Sequence, residues 1–558
     1  MKSSRFILTG AIAAAFAVCS QADSQAATTV YITGATAYRS SAIIAIEALY
    51  GAGKYACVYS SKDGSVTTEQ KASSVAFKGL PTALNGLAGV EIKCCWAGSV
   101  GGLKIIADPN LSITDQPGAK GWIPDSQIPA SGTVGLLDTA IAYETGATAA
   151  LADAAFSDAF AQTVGVTGLI GNGTGSGATD GNVGVIAFEW VSNNGNANAT
   201  VINVAAYAVT DTVLNYTASS GSALAVGQVI GGKGIKPFTK ITAFTGTPAG
   251  GGTITIDTPV VVATTAASTI ASATYRLNPV SGLQQLQAKR ILQGGAYLSQ
   301  LTGVAAATDA GNQFVYAFGR NADSGTRVSC LAESGIGALG LPQHLQPVIA
   351  GGGAGGTGGL PSRRIASMAL WPAESVLGTS FAAGQSGYSG GGDLAAALTA
   401  WGSIGAPTTA GGVAPLYQDR VGLNGGWIVG YVSRNDAETA CAQTGGANTA
   451  HRVTWNGQYD WKQVVGFGLT DIRTFTHDGK PVNNYDDAKV QQGAYSLWEY
   501  EHFYRNAAAD ADATKKGILN LLADSIVAGD PGTNNIPIST MKVSRPNEGG
   551  VLTHIVTP

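Results

Sequence analysis

Phe314-Val315-Tyr316-Ala317-Phe318-Gly319-Arg320-Asn321-Ala322-Asp323-Ser324-Gly325-Thr326-Arg327 contains three structural signals in fourteen positions. The apolar run ending at Phe318 reads as a buried strand. Ser324 or Thr326 is a helix cap, and Val328-Ser329-Cys330-Leu331-Ala332-Glu333 continues as the helix. The first N–H groups of a helix have no internal partners and face outward at the positive end of its dipole, which suits an anion. Gly325 permits close backbone approach, the hydroxyls add donors, and Arg320 adds a planar fork matched to an oxyanion. Taken alone, the same residues also describe an ordinary capped helix beside a surface arginine.

Outward from this stretch the same grammar recurs. Toward the N-terminus, Val30-Tyr31-Ile32 is a strand, Thr33-Gly34-Ala35-Thr36 a turn, and 41–49 a helix. A hairpin follows from 55–60 and 74–77. The strand Val90-Glu91-Ile92-Lys93-Cys94-Cys95-Trp96 then ends in the turn Gly98-Ser99-Val100-Gly101-Gly102. A helix is expected to end at 149–152, and Ala154-Ala155-Phe156 to lead as a strand into Ser157-Asp158. Strands alternating with helices, with polar glycine turns at strand ends, predict an α/β sheet with ligands at the carboxyl ends of its strands. Between about 210 and 275 the pattern changes to period-two alternation, as in Thr253-Ile254-Thr255-Ile256-Asp257, which predicts an all-β insertion. Further on, 427–432 and 464–469 read as strands, 495–503 as the start of a helix, and 516–527 as a second, amphipathic helix. The glycine run 351–359 reads as a flexible linker.

Composition sets outer bounds. The chain has 558 residues, room for two or three domains; 12% are charged and 77 are glycine. The net charge of −4, with no basic stripe, argues against nucleic acid. Lys2 and Arg5, the apolar 6–18 and Ser24-Gln25-Ala26 form an export signal over 1–27, so the expected location is the periplasm, the extracellular space or the cell surface. No other run is long and apolar enough to cross a membrane, so no span is expected after signal cleavage. In an oxidising compartment, Cys57, Cys94, Cys95, Cys330 and Cys441 lead one to expect one or two disulfides. No Cys/His cluster has metal-ligand spacing, so neither metal nor cofactor is expected. Gly387-Tyr388-Ser389-Gly390-Gly391 fits the nucleophile-elbow pattern GxSxG, but it has no preceding strand and no placed histidine; the chain is not expected to be an enzyme.

Gly34-Ala35-Thr36, Gly98-Ser99-Val100-Gly101-Gly102, Ser157-Asp158 and Arg320 with Ser324-Gly325-Thr326 thus form one candidate constellation. A carboxylate fits such a set if the anion carries a proton that Asp158 can accept. In this order the motifs resemble the phosphate-binding proteins of bacterial ABC transporters. The likeness is strongest in Arg320-x-x-x-Ser324-Gly325-Thr326, and Ser99, Asp158 and Thr36 match the remaining binding positions. Ala37 stands where the family has an aromatic residue and offers only its N–H.

The resemblance implies a two-lobed, type II periplasmic-binding-protein fold with the β insertion at 210–275. Lobe I takes 28–165 and a return from 466–558, and lobe II takes 166–465. It implies phosphate or a similar tetrahedral oxyanion bound in the inter-lobe cleft by Thr36, Ala37, Ser99, Asp158, Arg320, Ser324, Gly325 and Thr326, with an ABC permease as partner. The alternative is a cell-surface or matrix structural or adhesion protein that reuses the fold.

Overall fold

The computed structural model describes residues 28–60, 68–80, 89–129, 136–137, 141–144, 150–174, 180–193, 199–220, parts of 224–263, 268–273, 282–297, 299–302, 314–349, 365–400, 427–441, 450–458, 460, 485–529 and 535–555. The expected signal at 1–27, the glycine run 351–359 and the strand 464–469 lie outside them.

The fold is mixed α/β, built on one fifteen-stranded mixed sheet with several smaller sheets around it. Seven strands carry the argument: β1 (Thr28–Gly34), β2 (Val90–Trp96), β3 (Ala154–Ser157), β4 (Asn182–Asn193), β5 (Phe314–Phe318), β6 (Trp427–Ser433) and β7 (Trp498–Arg505). Along the sheet they lie in the order β5-β6-β4-β7-β3-β1-β2, and the hairpin Tyr55–Ser60 and Ser74–Gly79 extends the β2 edge. β3, β1 and β2 are mutually parallel, and β5 is parallel to β6. Between the two parallel groups run β4 and β7, antiparallel to each other and to the strand on either side. β4 is long enough to serve both groups: 182–187 pairs with β7, and 188–192 with β6.

Helices cover the faces because their apolar residues recur at helical spacing. In α1 (Arg39–Tyr50), Ala42, Ile43, Ile46, Leu49 and Tyr50 are buried, and they share a core with Leu519, Leu522 and Ile526 of the helix Ala513–Ala528. Each such aliphatic side chain contributes on the order of 1.5–3 kcal/mol by leaving water. On the opposite face α2 (Ser99–Ala107) buries Leu103 and Ile106 against Trp122 and Ala155. Phe156 and Phe503 stack across β3 and β7 with ring centroids 4.0 Å apart, which ties the first parallel group to the crossing strands.

Several expectations are corrected. The segment 495–503 is no helix: Trp498–Arg505 is β7, buried at every position. Its Trp-Glu-Tyr-Glu-His-Phe-Tyr-Arg sequence is rich in aromatic strand formers, and the long-range pairing with β3 and β4 outweighs the helical preference of two glutamates. Residues 150–153, expected to close a helix, are irregular and lead directly into β3. Cys57, Cys94, Cys95 and Cys330 are buried and no disulfide joins any two of them, contrary to the redox reading of the cysteine count.

The segment with period-two alternation forms its own six-stranded antiparallel sheet, with a core that includes Ile202, Leu214, Ile230, Ile241 and Ile254. The expected start near 210 was late, because Ala199–Val204 is one of its central strands.

Candidate functional site

The carboxyl ends of β1, β2, β3 and β5 all carry residues of the sequence constellation, and three of these ends meet. Asp158 directly follows β3, fully buried. Its Oδ1 accepts a hydrogen bond from Ser99 Oγ at the start of α2, and its Oδ2 accepts from Thr326 Oγ1 at 3.1 Å. Thr326 lies in the first turn of α3 (Gly325–Glu333), which β5 feeds through the Arg320 turn. Close contact between α2 and this turn locks the arrangement. Val100 N donates to Asp323 O at 2.9 Å, and Gly98 adopts φ 143, where a side chain would be strained and its Cβ would fall 2.8 Å from that same oxygen.

Gly325 is required for a different reason. A Cβ there would lie 1.8 Å from Asp158 Oδ1 and 3.0 Å from Ser99 Cβ, so the missing side chain is the space the carboxylate occupies. Ser329, one turn further along α3, donates to the Asp158 carbonyl at 3.2 Å. Burial pushes the Asp158 carboxyl above its ordinary range, opposed by the Ser99 hydrogen bond, the Arg320 charge and the Thr326 hydrogen bond.

Arg320 is 2% exposed and is held by carbonyls: Nε donates to Tyr388 O at 3.1 Å and Nη2 to Ser389 O at 3.0 Å. Burial lowers its pKa; the charges that oppose this are first Asp436, just past β6, and then Asp158. It remains a cation, since the guanidinium keeps its proton in proteins. Asp436 in turn feels Arg320 and, from α1, Arg39. The GxSxG segment therefore serves Arg320 through its backbone.

Of the remaining expected residues, Ser324 is the cap of α3: its Oγ accepts from Arg327 N at 3.3 Å. Thr36 and Ala37 follow β1 in a half-buried turn; Ala37 packs on the core that includes Phe160 and Tyr500, and no hydrogen bond joins either residue to Asp158 among the described residues. The structure thus gathers Ser99, Asp158, Gly325 and Thr326, brings Arg320 within electrostatic reach, and leaves Thr36, Ala37 and the Ser324 side chain outside the cluster.

Sequence reading missed Ser329, Asp436, Glu501 and Tyr38. Glu501 on β7 is fully buried, and neither of its carboxyl oxygens has a hydrogen-bond partner among the described residues; the same holds for the hydroxyl of Tyr38. Within 498–505, the alternation of Glu499 and Glu501 with Trp498, Tyr500 and His502 was the available signal for a strand that points two carboxyls to one side.

The site therefore combines, in one buried cluster, a carboxylate held by two hydroxyls, a helix N-terminus and a guanidinium held by backbone carbonyls. No protein-family model matches the chain, and no curated protein sequence matches it. No helix among the described residues is long and apolar enough to cross a membrane.

Proposed function

We propose that this protein binds phosphate or a similar tetrahedral oxyanion between two lobes of a type II periplasmic-binding-protein fold, exported and without catalysis. In this reading the β3-β1-β2 group and the β5-β6 group belong to different lobes, β4 and β7 are the crossing strands, and the six-stranded sheet is an insertion. The observation that carries the reading is the convergence of Ser99, Gly325 and Thr326 on the Asp158 carboxylate at strand ends from both parallel groups. A tetrahedral anion that carries a proton matches that set. Its ionised oxygens accept from the α3 N–H groups and Arg320, and its O–H donates to Asp158, whose carboxylate the Ser99 and Thr326 hydroxyls hold in place. A fully ionised anion has no proton to give and sets its charge directly against the buried Asp158 carboxylate. An ABC permease is the partner this reading implies.

A second reading, a cell-surface or matrix structural or adhesion protein, is favoured by one feature. The six-stranded sheet has a core of its own and displays polar or apolar side chains such as Val213 and Phe244 at its surface. Calorimetric titration with phosphate, sulfate and arsenate separates the two: heat with phosphate or arsenate supports the binding protein, and no heat with any of them supports the surface protein.

A further inference from the structure

The unpartnered groups near Asp158 form a row. Ser157 pairs with His502 across β3 and β7, so one step further Asp158 comes alongside Glu501. Across β7 and β4, Glu501 pairs with Gly184. A Cβ on Gly184 would stand 2.5 Å from Tyr38 Oη, so the tyrosine hydroxyl occupies the face that this glycine leaves open. Opposed residues in antiparallel strands hold their Cβ atoms about 4.5–5.5 Å apart, close enough for neighbouring carboxyls to interact.

The electrostatics agree with the register. Glu501 is pushed well above the ordinary carboxylate range, by burial first and by the Asp158 charge second. Tyr38 is pushed up by burial first and by Glu501 second. Glu499, two residues along β7, and Glu548, whose carboxyl feels Asp158, are each engaged through one carboxyl oxygen. Glu499, its neighbour on the same face of β7, is paired with Arg545 at 2.8 Å, and Glu548 accepts from Phe160 N at 2.5 Å. The adjacent His502 is held neutral by burial, with its pKa lowered to about 4.

Resting on the oxyanion-binding reading, we infer that Asp158 and Glu501 work as a carboxyl pair that holds one proton, with Tyr38 as the third member of the row, and that this row selects the monoanion of a tetrahedral acid over its dianion. Two carboxyls side by side in a buried site cannot both ionise cheaply, so the pair carries one charge and keeps one O–H to donate. The Arg320 charge is then already opposed by Asp158 and Asp436 before any ligand arrives. With these carboxylates present, a ligand carrying one negative charge is repelled less than one carrying two. The monoanion also has two O–H groups to give to the carboxyl oxygens and the tyrosine oxygen, whereas the dianion has one.

The test is calorimetric titration of the full chain with inorganic phosphate between about pH 5.5 and 8.5, across the second ionisation of phosphate. The apparent association constant is expected to fall about tenfold per pH unit once the dianion predominates. Glu501→Gln, neutral at every pH, should keep the wild-type affinity within about twofold and the same slope, while Glu501→Leu and Tyr38→Phe should each weaken binding about tenfold. Phosphate affinity that is flat or rising with pH, or Leu and Phe variants that bind as the wild type does, overturns the carboxyl pair while leaving oxyanion binding in place. Absence of phosphate binding at every pH overturns the binding reading itself. Should Glu501→Leu not fold, Tyr38→Phe, which removes a single oxygen, decides.

Discussion

Replacing Gly325 by alanine puts a methyl group where the Asp158 carboxylate now sits. The added Cβ would fall 1.8 Å from Asp158 Oδ1 and 2.7 Å from its Cγ, far inside van der Waals contact. Asp158 is the party that must move, since Gly325 is fixed as the first residue of α3 and Ser99 Cβ closes the other side at 3.0 Å. Moving it breaks the hydrogen bonds from Ser99 and Thr326 while the carboxyl stays buried. Hydrogen bonds to a charged group are worth about 1.5–3 kcal/mol each, so the loss is about 3–6 kcal/mol, offset by up to about 1 kcal/mol from alanine's better helix propensity. Urea unfolding followed by far-UV circular dichroism should therefore show Gly325→Ala less stable by about 2–5 kcal/mol. Gly517→Ala is the control, because nothing lies within 4 Å of a Cβ at this exposed position inside Ala513–Ala528. It should gain about 0.5–1 kcal/mol. A Gly325→Ala protein within about 0.5 kcal/mol of wild type would refute the claim that this glycine exists to admit the carboxylate.

Asp323 supplies a pH-dependent test. It is 1% exposed, neither carboxyl oxygen has a partner among the described residues, and burial pushes it up to about 7 from an ordinary 3.8. A raised folded-state value means that the folded protein holds the proton more tightly. The folded state is therefore penalised as pH rises from about 4 through 7, by up to about 4 kcal/mol. Asp323→Asn should be as stable as wild type near pH 4 and more stable by a few kcal/mol at pH 8, measured by denaturant unfolding at both; a constant difference across that range would contradict it. Arg545 pairs with Glu333 at 2.9 Å and Glu499 at 2.8 Å, and lies over the Trp498 ring at 4.2 Å. Arg545→Ala strands two buried carboxyls and should cost about 3–5 kcal/mol in the same assay, whereas a loss below about 1 kcal/mol would mean the pair is dispensable.

Local signals carried much of the fold. β2 and β5 were legible because an apolar run ends at a glycine or polar turn, and α1 because its apolar residues repeat at helical spacing. The cap of α3 was narrowed to Ser324 or Thr326, and the geometry of Arg327 N selects Ser324. What escaped depended on partners far along the chain. β7 alternates Glu with aromatic residues yet is buried on both faces, so the burial of its carboxyls was not legible, and the neighbourhood of Asp158 and Glu501 exists only through pairing between β3 and β7. The anchors of Arg320 are backbone carbonyls of Tyr388 and Ser389, and any residue type could supply those. Ser99, Asp158, Gly325 and Thr326 were found because hydroxyl and glycine at strand ends have a chemical meaning before the fold is known.

The central claim is tested most directly by titrating the chain with inorganic phosphate in a calorimeter, alongside Arg320→Ala. Binding at about 1 μM or tighter for the wild type, about −8 kcal/mol, and at least a hundredfold weaker binding for Arg320→Ala are the predicted results. Phosphate that gives no heat, or an Arg320→Ala protein that binds it as the wild type does, would contradict an oxyanion site at Asp158 and Arg320.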